Sequence, residues 1–142
     1  MKKIILFTAF MLMSAFTMPL FAAFISTPTE NNDVIVTDTA TGLIWQKTYV
    51  SGKKWQQALD YCENLTYAGY DDWRLPDKNE LASLVNYAKY FPASDFPDMP
   101  KESFWSSSTS VLNHEYAWRV DFSHGSVFIN NKSDTYYVRC VR

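Results

Sequence analysis

The side chains that could do chemistry in this 142-residue chain are few. Two histidines, His114 and His124, invite a metal reading, because zinc sites gather His, Cys and acids at defined spacing. Neither histidine has that company in the sequence, and both fall in or near expected loops, so solvated loop histidines are expected. The acids Asp71, Asp72, Asp77, Asp95 and Asp98 could supply oxygen ligands for calcium, the one cofactor such a set would take. No EF-hand loop spaces them for it, and no other cofactor is expected. The serines of "WSSSTS" (105–110) sit in no G-x-S-x-G elbow, so no activated nucleophile is expected. Nothing in these spacings assembles a catalytic constellation, and a non-enzymatic protein is expected.

Two cysteines remain, Cys62 and Cys140. Their reading depends on the compartment. Lys2 and Lys3 precede an apolar run from Ile4 to about Phe16, and the small residues Ala22 and Ala23 close the segment. That order predicts a secretory signal over residues 1–23, with a membrane anchor as the other reading of the same stretch. Export to the periplasm, the cell surface or the medium follows, with no membrane span after cleavage. In an oxidising compartment an even cysteine count reads as a disulfide, against the alternative of two separate buried thiols. The short basic start is of bacterial type, so the glycosylation patterns at Asn64 and Asn131 carry little weight.

Removing the signal takes Lys+Arg from 13 to 11 against 15 acids, a net charge of −4. A mildly acidic chain without a basic run is a poor nucleic-acid partner, since phosphates demand clustered Lys and Arg. Aromatic residues make up 17% of the chain, which supplies core payload and leaves amphipathic rings for the surface. A polysaccharide or a surface protein is therefore the expected kind of partner.

The elements that must position these groups follow from periodicity. Residues 24–33 are polar and read as a loose N-terminal lead, and residues 34–142 as a single domain. "DVIVTDTATGLIWQK" predicts a hairpin, with β-formers on either side of a turn at Asp38 to Gly42. In "KKWQQALDYCENL", Trp55, Ala58, Leu59, Cys62 and Leu65 share one face of a helix, which turns Cys62 inward.

"DDWRLPDKNEL" reads as a structural joint rather than a ligand site. Asp77 and Glu80 form the D-x-x-E version of a capping box, and Pro76 keeps the chain from being helical earlier. Leu81, Leu84, Val85 and Ala88 then give that helix its inward face. Trp73 is expected to pack beneath the joint, and Arg74 to tie a carboxylate or loop carbonyls with its fork of donors. "FPASDFPDMP" reads as an extended surface loop. "SFWSSSTS", "YAWRVDF", "GSVFIN" and "YYVRCVR" read as strands, Val138 and Cys140 sharing one face of the last, opposite Arg139 and Val141. Helices in mid-chain with strands at both ends make an α+β domain on an antiparallel sheet.

Taken in order, "TGLIWQK", "KWQQALDYCENL", "GYDDWRLPDKNEL", "FWSSS", "AWRVDFSHG" and "YYVRCVR" resemble the Lcl C-terminal domain family, a bacterial exported domain. The likeness spans residues 34–142. It implies a C-type-lectin-like fold, two helices packed on a twisted antiparallel sheet. It also implies a disulfide from the first helix to the last strand, where Cys62 and Cys140 lie. The family's best-known use is adhesion to sulfated polysaccharides beside a collagen-like stalk. This sequence has no collagen repeat and is acidic. The Trp73–Pro76 run is also similar to a segment of the formylglycine-generating enzymes, whose fold is related. That likeness makes a cell-envelope enzyme the alternative to a binding module, with an accessory of a surface assembly as a third reading. Those enzymes use reactive cysteines, whereas this pair reads as structural. The Glu-Pro-Asn or Gln-Pro-Asp and Trp-Asn-Asp runs of calcium-dependent lectins are absent.

Overall fold

The computed structural model describes residues 23–142. The signal-segment expectation falls on residues 1–22 but for its last position, and so lies outside the described residues. The described chain is α+β, two sheets and two short helices.

The first sheet holds β1 (Phe24–Pro28), β2 (Val34–Asp38) and β3 (Ile44–Gln46), in that order and antiparallel. The β2–β3 turn is closed by Asp38, whose carboxylate accepts from the Ala40 N–H (2.9 Å) and the Thr41 hydroxyl (2.7 Å). Gly42 then takes a left-handed φ of 75° that a β-carbon would oppose. Val36 and Trp45 are paired across this hairpin and both fully buried. The loose lead expected for residues 24–33 is corrected here. Phe24–Pro28 is a strand that covers the edge of β2, and Phe24 packs its ring 5.4 Å from Phe96. The polar, Pro-ended sequence hides this because β1 is an edge strand with most residues in solvent.

The second sheet runs β4 (Val50–Lys53), β8 (Tyr136–Val138), β5 (Ser103–Thr109), β6 (Tyr116–Asp121) and β7 (Ser126–Asn131) across its width. All its pairs are antiparallel except β5–β8, which is parallel. The sheet is thus mixed, not purely antiparallel as expected, because the last strand inserts between β4 and β5 instead of joining the edge. Beyond β8 the chain continues as a seam between layers. Val141 bridges both Trp45 and Arg74, and the Gln46 N–H donates to the Cys140 carbonyl (3.0 Å). Every residue from Val138 to Val141 is buried, so Arg139 is inside the protein and not on an outward face.

Helix α1 (Trp55–Glu63) buries Ala58 and Cys62 completely, and its Trp55 indole donates to the Ser106 carbonyl (2.9 Å). Helix α2 (Lys78–Ala82) is shorter than its apolar period suggests. Leu84 and Val85 still turn inward, but past Ala82 the chain unwinds: Val85 bridges Ser94, and the Ser94 hydroxyl donates to the Leu84 carbonyl (2.6 Å). Two apolar clusters result. One centres on Val36, Trp45, Leu81, Phe104 and Phe122, the other on Ala58, Trp73, Leu75, Trp105 and Val138. The second contains the Cys62–Cys140 disulfide, which ties α1 to the segment after β8 with the α-carbons 5.5 Å apart. Each large buried side chain contributes roughly 1.5–3 kcal/mol of transfer free energy.

Candidate functional site

The residues that the sequence singles out at "DDWRLPDKNEL" converge on a buried junction. Trp73 is buried, and its indole N–H is shared between the Tyr67 (3.1 Å) and Tyr70 (3.2 Å) carbonyls. Both of those tyrosine rings stand edge-on to it, at 5.7 and 6.5 Å. The Asp77 carboxylate accepts from the Asn79 (2.7 Å) and Glu80 (2.8 Å) N–H groups, and Glu80 accepts in return from the Asp77 N–H (2.9 Å). Arg74 grips Glu80 with two guanidinium nitrogens, at 2.7 and 2.6 Å. Pro76 is buried and its carbonyl accepts from the Ser107 N–H (2.8 Å), which pins the joint to β5.

The acids raised for calcium do not converge. Asp72 pairs with Arg142 (2.6 Å), Asp77 caps α2, Asp95 takes Lys89 and Asn86, and Asp98 pairs with Lys47 (3.1 Å). Among the described residues no three His, Cys, Asp or Glu groups gather where they could hold a metal ion. His114 is exposed in the loop before β6. His124 is exposed too, but it stands in different company.

Between α2 and β5 the chain runs through "NYAKYFP", and this run builds the exposed feature that the sequence reading did not single out. Tyr87 is 77% exposed, Tyr90 71% and Phe91 43%, high values for rings of this size. Tyr90, Phe91 and the His124 imidazole form a triangle with ring centres 5.2, 5.2 and 5.3 Å apart. Tyr87 reaches the same turn, its ring lying against Gly125. The cluster is fastened, not loose. The Phe91 N–H donates to the Ser123 carbonyl (3.3 Å) and the Ala93 N–H to the Phe122 carbonyl (2.8 Å), tying the loop to the β6–β7 turn. Phe91 holds φ at 59°, a left-handed backbone that bulky residues avoid and that here presents its ring outward.

Polar groups rim these rings. Asp121 accepts from the Ser123 N–H (2.7 Å), and the Ser123 hydroxyl stands 2.7 Å from His124 Nδ1, which sets the imidazole's position. The Lys101 ammonium lies 4.8 Å from the Phe91 ring centre. Behind Tyr87 opens a cavity of about 420 Å³, whose wall carries Ser83, Asn86 and Asp95. Hydrogen bonding from Lys89 and then Asn86 holds the Asp95 carboxyl below the usual range, so it is a charged acceptor at that wall. Ser123, His124 and Asp121 do not form a nucleophile–base relay, because the serine bridges the other two instead of lying at one end. What the arrangement offers is stacking faces beside hydrogen-bonding edges. The signal for it was in the sequence: three aromatic residues within five positions, ahead of a proline.

The sequence model of the Lcl C-terminal domain matches residues 34–142. No curated protein matches the chain.

Proposed function

This chain belongs to the Lcl C-terminal domain family, and from that premise we propose that it is an exported, non-catalytic binding module for a glycan. The observation that carries the reading is the aromatic face made by Tyr87, Tyr90 and Phe91 with His124. A pyranose ring has an apolar C–H face and a hydroxyl edge. Exposed aromatic faces suit the first, through their negative quadrupole. Polar groups such as Asn86, Asp95 and His124 suit the second. We read the fold as C-type-lectin-like, with the seam after β8 holding the chain's end against the first sheet. The disulfide supports an oxidising, extracytoplasmic location. Among the described residues no helix is long and apolar enough to cross a membrane. The module needs no cofactor in this reading.

A glycan array followed by salt titration tests the proposal. Binding through stacking and short hydrogen bonds should survive moderate salt, whereas plain charge attraction is screened within a Debye length of about 8 Å at physiological ionic strength. Tyr90→Ala and Tyr87→Ala should abolish binding and leave the melting temperature unchanged, because both rings are largely in solvent. Binding that neither variant alters, or that salt removes entirely, would sink the reading.

A further inference from the structure

Arg139 is 1% exposed, and no acid pairs with it. Its Nη1 reaches only the Met99 sulfur (3.8 Å). Aromatic rings box it in, with Phe96 at 4.1 Å, Tyr49 at 5.5 Å and Phe104 at 5.6 Å from its central carbon. Its Nε and Nη2 have no hydrogen-bond partner. Those two nitrogens form one edge of the guanidinium, the edge that matches a carboxylate with two parallel bonds. A buried charge without a counter-ion is costly, and burial pushes this guanidinium down to about 9. Orphaned buried donors in a folded protein call for an explanation.

A second cavity, of about 350 Å³, adjoins this box. Lys47, Tyr49 and Asp98 wall it, with Tyr67 and Asp33 opposite. Tyr49 is both cavity wall and box wall, and at 39% exposure it is the partition between them. Asp98 precedes the Met99 that touches Arg139, yet its own side chain is 80% exposed and paired with Lys47. Asp33 is committed to the Ala68 N–H (2.8 Å). The cavity therefore presents one cation at its mouth and one behind its partition.

We infer that Arg139 anchors a binding site for a small organic carboxylate, entered through the cavity walled by Lys47, Tyr49 and Asp98. The carboxylate takes the Nε–Nη2 edge once Tyr49 swings aside, and Lys47 supports it from the mouth. Asp98 is the internal competitor, since it holds the Lys47 ammonium while the site is closed. The site lies apart from the aromatic face and shares no lining residue with the cavity behind Tyr87.

Acetate is the smallest probe, and acetamide its neutral counterpart. Titrated into the nitrogen-15-labelled protein at constant ionic strength, acetate should shift the Arg139 Nε–H resonance saturably, while acetamide and chloride should not. Asp98→Asn should tighten acetate binding by about threefold, through loss of the competing charge. Arg139→Met should melt no lower than the parent, because it replaces an unpaired buried charge with an apolar chain of similar length. It should also weaken acetate binding by about tenfold or more. A linear unsaturated response, an equal response to acetamide or chloride, or acetate binding that Arg139→Met retains would overturn the inference. Looser binding in Asp98→Asn would overturn the competitor role.

Discussion

Arg74 and Glu80 meet through two parallel hydrogen bonds, although six residues and a turn into α2 separate them. The same Glu80 carboxylate accepts from the Asp77 N–H, so one side chain both closes the helix cap and holds the arginine. Arg74 in turn exchanges two backbone bonds with Val141, each 2.9 Å, at the end of the chain. The cap, the joint and the C-terminal seam are therefore one connected unit. Loss of the carboxylate's charge should be felt at all three.

The acid side of the stability curve should report that pair. Hydrogen bonding from Arg74 holds the Glu80 carboxyl below its ordinary value. A carboxyl depressed in the fold contributes stability above its unfolded pKa of about 4.3, and loses it as the pH falls through the folded value. Glu80→Gln should flatten the loss of melting temperature between about pH 5 and pH 3 relative to the parent. Because Arg74 is half in solvent, the pair is worth only about 0.5–1 kcal/mol at neutral pH. Identical acid limbs for parent and variant would remove the pair from the account.

Asp77 and Trp73 should separate cleanly in denaturant titrations. Asp77→Ala deletes an acceptor for two helix N–H groups and should cost about 1 kcal/mol. Trp73→Ala empties a buried site and orphans the carbonyls of Tyr67 and Tyr70, for about 3–5 kcal/mol. Neither residue lies on the aromatic face, so folded Asp77→Ala should bind a glycan as the parent does. A Trp73 variant as stable as the parent but unable to bind would make the joint a site.

The disulfide closes a loop with a sequence separation of 78. In the chain-entropy account a loop of that size restricts the unfolded ensemble by about 4–5 kcal/mol. Non-reducing peptide mapping of protein recovered after export should show the peptides of Cys62 and Cys140 linked. Cys62→Ala with Cys140→Ala should lower stability by a few kcal/mol, approaching the full entropic figure of about 4–5 kcal/mol only where the apolar pocket adapts to the smaller side chains. Free thiols in the recovered protein would contradict the structure.

What the sequence made legible follows the strength of local signals. The D-x-x-E cap, the inward Cys62 and the four late strands each carry a period or a motif of their own. The strand β4 does not, because "VSGK" is short, holds a glycine and alternates nothing. The β1 strand was hidden by its exposure, and the parallel β5–β8 pair by being a matter of topology rather than pattern. Arg139 alternates with Val138 and Cys140 as an outward residue would, and only the layer added over it by Phe96 and Met99 buries it. The aromatic face was illegible for a similar reason. Apolar rings in a loop look the same in sequence whether they tuck under it or stand out.

Gly125 links the fold to that face. It takes a φ of 76°, and a β-carbon there would lie 2.7 Å from Val85 Cγ1 and 3.6 Å from the Tyr87 ring. Gly42 makes a useful control, since its φ is 75° but nothing lies within 4 Å of its would-be β-carbon. Alanine at either position should carry the same left-handed backbone cost, about 1–2 kcal/mol. Gly125→Ala should cost about 1–3 kcal/mol more, because Val85 must move within a packed neighbourhood. As Val85 and Tyr87 flank the cavity wall, the shift should also weaken binding at the aromatic face, which Gly42→Ala should leave intact. Thermal melts of both variants, beside binding of any glycan that the array identifies, give the two readings together. Equal destabilisation by the two would show that Gly125 is needed for its backbone alone, and that the turn does not position Tyr87.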